Sequence, residues 1–126
     1  MSYSQVNEKQ FTKAITYLSI SLVFYAFFQS VGIDFAKLDT KGLSPVVLTL
    51  GNSNFAGGLL AILFGFVFTR SFRSTKIDIK DVAISALLLF GIYLTGAVQG
   101  YLIVAFVFSV IVPIRIVSIA KNHIGN

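Results

Sequence analysis

The first long apolar stretch runs from Ala14 to Val31 and is interrupted only by uncharged polar residues. About 20 residues at 1.5 Å each cross the hydrocarbon of a bilayer, so the pattern predicts a first transmembrane helix over about 11–33. Residues 1–10 are polar, carry Glu8 and Lys9, and read as a mobile lead-in. Residues 34–49 mix polar and apolar positions around Gly42 and Pro45, which limit any interfacial helix there to a turn or two. A second apolar stretch predicts a helix over 53–72, and a charged loop from Arg70 to Asp81 follows it. From Val82 to Ile114 there is no charge at all, over 33 residues. A helix of that length would be about 50 Å long, against a hydrocarbon core of ~30 Å. Gly96 and Gly100 offer a break, which divides the run into helices over 80–96 and 99–120. Pro113 should kink the last of these and free the carbonyl of Ser109.

The pattern therefore predicts an all-α, polytopic membrane protein with four transmembrane helices in a single membrane domain. Composition agrees, because 56% of the residues are hydrophobic, against 45–50% in an ordinary soluble domain. There is no cysteine, which excludes disulfides and thiol chemistry. The single histidine, His123, excludes a histidine-rich metal site, and no cofactor or metal is expected. The first apolar stretch is too long for a cleavable signal peptide and lacks a small-residue cleavage site. The net charge of +5 would suggest nucleic acid in a soluble protein. Here the basic residues flank apolar segments, so the charge reports topology and no nucleic-acid partner is expected.

Lys9, Lys13, Arg70, Arg73, Lys76, Lys80, Arg115 and Lys121 lie on the first end, the second loop and the last end. The 34–52 loop holds only Lys37 and Lys41, offset by Asp34 and Asp39, and the 96–100 turn holds none. Short basic loops stay in the cytoplasm. Both termini are then cytoplasmic in a plasma membrane, with the 34–52 loop and the 96–100 turn outside. Arg115 can snorkel to the headgroups.

Candidate chemistry is sparse. Asn52, Ser53 and Asn54 are helix-capping types and Gly51 permits an unusual backbone ahead of them. A helix start on the outer face would tolerate an anion through its free N–H groups and dipole; a cap and nothing more is the competing reading. Gly57, Ala61 and Gly65 form a small-residue stripe along which another membrane helix can approach. Tyr25 and Gln29 share a helix face, which suits an interhelical hydrogen bond better than a pore lining. Asp34 and Asp39 stand beside Lys37 and Lys41 and read as solvated ion pairs, so no residue is assigned as a catalytic base.

Leu50-Gly51-Asn52-Ser53-Asn54-Phe55-Ala56-Gly57 resembles the signature with which O-antigen ligase/polymerase-type membrane proteins open a membrane helix after a polar loop. Phe28-Gln29-Ser30-Val31-Gly32-Ile33-Asp34 is similar to that family's preceding helix end. Leu94-Thr95-Gly96-Ala97-Val98-Gln99-Gly100 is similar to its later helix break, where the family usually carries an Arg and this chain has none. The resemblance covers about residues 20–120. It implies a polyprenyl-pyrophosphate-linked glycan as ligand, at Gly51, Asn52, Ser53, Asn54 and Gln99, on the outer side. The family's catalytic histidine lies in a larger outer loop beyond this sequence, and His123 does not replace it. The chain then reads as a fragment or truncated copy, inactive alone. Two other readings stand beside it. One is a small structural or interaction protein that oligomerises through Gly57, Ala61 and Gly65; the other is part of a transporter, which the lack of a mid-membrane charge disfavours.

Overall fold

A computed structural model describes residues 3–37, 46–72 and 77–124. It contains four α-helices, α1 (Tyr3–Ser30), α2 (Ser53–Ser71), α3 (Ile79–Thr95) and α4 (Val98–Ile124), and no strand among the described residues. The segments Asn7–Ser30, Ser53–Ser71 and Val98–Ser118 are each long and apolar enough to cross a membrane. The chain is thus an all-helical protein with three helices able to span a bilayer. α3 is 17 residues long, about 25 Å at 1.5 Å per residue.

α1 and α3 run in one direction and α2 and α4 in the other. Gly57 and Gly65 of α2 lie against Ala97 and Val107 respectively, so α2 and α4 are parallel. Arg70, near the end of α2, reaches Thr12 and Thr16 near the start of α1, so those two are antiparallel. α2 is central, packed against α3 and α4, while α1 lies mainly against α3. The bundle therefore has two unlike ends. One gathers the starts of α2 and α4 with the ends of α1 and α3, and is called the cap end below. The other gathers Arg70, Asp81 and the start of α1, and is called the ion-pair end.

The ends of the helices follow from local chemistry. α1 closes in a Schellman arrangement, with Ile33 N–H donating to Phe28 C=O at 2.9 Å and Gly32 N–H to Gln29 C=O at 3.0 Å. Gly32 holds φ +85° there, which only glycine adopts cheaply. α3 ends at Gly96 with φ +61°, and α4 begins two residues later at Val98. The break predicted from the charge-free run is where the sequence pattern put it. α1 differs from expectation. It starts at Tyr3, so described residues 3–10 are helical and not a mobile lead-in. Lys9, Lys13 and Glu8 end the apolar stretch without ending the helix, because all three are ordinary helix formers. The connection from α1 to α2 holds turns but no helix among its described residues, and 38–45 lie outside them.

The core is a column of side chains around α2. Leu60, Phe64 and Val67 of α2, Leu88 and Ile92 of α3, and Val23 and Ala26 of α1 are all buried. Phe68 meets Phe108 edge-on at 4.9 Å and ties α2 to α4. In lipid there is no water-driven force between apolar helices, so such contacts must be close to hold. Glycine supplies the closeness. A Cβ on Gly91 would sit 3.0 Å from Val23 Cγ2 and 3.2 Å from Leu60 Cδ1. α4 is one continuous helix through Pro113.

Candidate functional site

The cap end is built around Asn52. It takes an extended backbone (φ −147°, ψ 127°), and its side chain accepts from Asn54 N–H at 2.8 Å. One of the first free N–H groups of α2 is thereby satisfied. Gly51 turns into the cap at φ +69°, so its glycine is required there. Ser53 and Asn54 are the first two residues of α2, and Gly51, Asn52 and Asn54 are all exposed. Among the three capping-type residues, only Asn52 acts as the cap.

The α3–α4 break packs directly on this helix start. A Cβ at Gly57 would lie 2.5 Å from Ala97 Cβ and 3.0 Å from Thr95 Oγ1. A Cβ at Gly100 would lie 3.1 Å from the Gly57 carbonyl oxygen and 2.8 Å from Ile92 Cγ2. Gly100 is helical, so it serves close packing and not the break, which belongs to Gly96 alone. Gln99 is exposed in the first turn of α4, and its amide Nε2 lies 3.6 Å from where a Cβ of Gly58 would stand. Thr95 supports the corner: its hydroxyl donates to Ile92 C=O at 2.7 Å and accepts from Ala97 N–H at 3.3 Å. Gly51, Asn52, Ser53, Asn54 and Gln99 are thus brought to one end of the bundle, on the starts of two parallel helices.

A polar clamp underlies the loop that leads into this end. Gln29 is buried. Its Oε1 accepts from Val47 N–H at 3.2 Å and Leu48 N–H at 2.8 Å, and its Nε2 donates to Leu48 C=O at 3.2 Å and Asp34 Oδ1 at 3.1 Å. Tyr25 Oη donates to the same Asp34 oxygen at 2.6 Å, and Ala36 N–H does so at 3.0 Å. Buried amides are held by such partners because an unmade bond there is costly. Leu48 is kept at φ +52°, unusual for a residue with a branched side chain. Tyr25 and Gln29 share the face that the helix period predicts. Gln29, however, reaches a loop and not another helix, because its two backbone partners are 18 and 19 residues away in the connection. Asp34 is part of this clamp and more than a solvated loop carboxylate. Asp39 and Lys41 lie outside the described residues.

The ion-pair end was not legible as a site. Arg70 Nε donates to Asp81 Oδ2 at 2.7 Å, and an adjacent guanidinium nitrogen pairs with Oδ1. The same guanidinium reaches Thr16 Oγ1 at 3.2 Å and Thr12 C=O at 3.4 Å. Asp81 is in the first turn of α3 and Arg70 in the last turn of α2, so each helix dipole favours the charge placed on it. What reads in sequence as a charged loop is, at its two ends, a bidentate helix-to-helix bridge that also touches α1. Asp78 caps α3 through Lys80 N–H at 3.0 Å. Ser85 lies one turn beyond Asp81, and its buried hydroxyl has no partner among the described residues. No group of acids or histidines that could hold a metal occurs among the described residues.

The fold is all-helical among the described residues, and three of its helices are long and apolar enough for a multi-pass membrane protein. No protein-family model, no curated protein and no solved structure matches the chain.

Proposed function

We propose that this chain crosses the plasma membrane four times, with both termini in the cytoplasm, and handles a polyprenyl-pyrophosphate-linked glycan at the outer face. α3 is the added span. It runs alongside α2 for the full depth of the bundle, from the Asp81–Arg70 bridge to the Gly57–Thr95 contact, so it traverses what α2 traverses. One observation carries the ligand reading. The two stretches that resemble ligase/polymerase-type proteins are some 40 residues apart in sequence, yet Gly57 and Ala97 touch. The helix start at Asn52, the first turn of α4 and the Gln99 amide then face one outer surface, where backbone N–H groups suit a pyrophosphate.

Transfer of the glycan needs a base for the acceptor hydroxyl and cations at the departing pyrophosphate. At the cap end Asp34 is committed to Tyr25, Gln29 and Ala36, and Gln99 carries no charge. The chain alone is therefore a binding segment without turnover. Purified protein mixed with lipid-linked glycan and an acceptor lipid is expected to give no product, whereas turnover without a partner would defeat this assignment. Asn52→Leu with Asn54→Leu is expected to weaken retention of polyprenyl pyrophosphate by about fivefold, roughly one hydrogen bond's worth. Asn54→Leu alone separates ligand contact from loss of the cap, since only the Asn52 side chain caps α2.

A second reading rests on α4. Phe106, Ile114, Ile116 and Val117 are each at least 60% exposed, which suits a helix that docks on other membrane helices. In that case the chain is a structural or interaction module, and the double variant leaves lipid retention unchanged.

A further inference from the structure

Between α1, α2 and α4, away from the cap end, lies an open groove of about 980 Å³. Its walls are apolar over most of their length, with Phe66, Val107 and Val110 among them. Along α4 it reaches from Ile103 to Ser118, about 22 Å at 1.5 Å per residue. That matches the depth of one leaflet with its headgroup region, half of about 40–45 Å. Its polar end is at the ion-pair end, where Arg70, Arg115, Glu8, Thr12 and Ser118 line it. Arg70 directs four N–H bonds to Asp81, Thr16 and Thr12, so one of its five donors is unassigned among the described residues.

Charge selects the occupant. Among the described residues, this end of the bundle holds Lys9, Lys13, Arg70, Lys80, Arg115 and Lys121 against Glu8, Asp78 and Asp81. At the cap end the described charges, Lys37 and Asp34, cancel, so the net positive charge of the described residues belongs to the ion-pair end. We infer that the groove is the binding site of an anionic phospholipid of the leaflet at the ion-pair end. An acyl chain lies along Phe66, Val107 and Val110, and the phosphate stands among Arg70, Arg115 and the two hydroxyls. A guanidinium suits this position because it offers a planar pair of donors to phosphate oxygens. A neutral helix of another protein would fill the apolar wall but would not answer the net positive charge of this end. The inference rests on the membrane-spanning reading and is independent of any ligand at the cap end.

The test is native mass spectrometry of the full chain released from micelles holding phosphatidylglycerol and phosphatidylcholine in equal amounts. The wild type is expected to retain phosphatidylglycerol at least about fivefold over phosphatidylcholine, the factor that one basic side chain near an anionic surface provides. Arg115→Gln should bring the two lipids near parity. Val110→Trp places a ring in the groove at a position that is 38% exposed, so it is compatible with folding and should lower retention of both lipids. Equal retention of the two lipids by the wild type would overturn the proposal, as would unchanged retention in Val110→Trp. So would a second copy of the chain, or added polyprenyl pyrophosphate, proving to be the species that Val110→Trp displaces. Asn52→Leu with Asn54→Leu should leave the phospholipid ratio unchanged, so the cap-end reading and this one fail separately.

Discussion

Gly57→Leu is expected to lower the thermal midpoint of the detergent-solubilised protein by on the order of 10 °C, corresponding to about 3 kcal/mol. The reason is geometric. A Cβ at this position already stands 2.5 Å from Ala97 Cβ, well inside van der Waals contact. Ala97 sits between two helices with its Cβ fixed to the backbone, so no side-chain rotation relieves the clash. α2 must separate from the α3–α4 corner, and the Gly100 contact with the Gly57 carbonyl is lost with it. Ala61 is fully buried four residues on, and Ala61→Leu should destabilise by a similar mechanism. A thermal midpoint unchanged by both substitutions would mean that the stripe faces lipid.

Asp81→Leu should be the second severe variant, costing about 3 kcal/mol. Its side chain is 8% exposed and that of Arg70 22%, so the substitution strands a largely buried guanidinium with only the two threonine contacts. Arg70→Leu strands the carboxylate in the same way. The pair replaced together should cost less than either single change, because burying two charges was itself unfavourable. Thermal unfolding of the three variants gives the coupling. Additive losses would show that the two side chains act separately, contrary to the bidentate geometry.

The helices were legible because each is written in the length of a charge-free run and in a local stop. Gly96 marks the division of a run too long for one crossing, and Asn52 marks the start of α2. The earlier start of α1 was not legible. Charged residues end an apolar pattern, but they do not end a helix whose backbone bonds they leave intact. The roles of Gln29 and Arg70 were hidden for a different reason. Both act across distance in the chain: Gln29 on backbone groups of a loop, and Arg70 on Asp81 and on threonines of α1 more than 50 residues away. Periodicity names the face on which a residue lies, but not what faces it. Gly100 was read as a break because glycine between apolar runs usually is one. Here its missing Cβ admits a carbonyl from α2.

The shared outer site requires α3 to cross the membrane, which puts Asn52 and Gln99 on one side and Ile77 on the other. The chain has no cysteine, so single cysteines give an unambiguous label. Asn54→Cys, Val98→Cys and Ile77→Cys each alter an exposed position outside the core. An impermeant maleimide applied to intact cells should label the first two and leave the third unlabelled until the membrane is opened. Labelling of position 77 together with position 98 in intact cells would place both ends of α3 on one side. That result would contradict the four-span arrangement and the shared outer site with it.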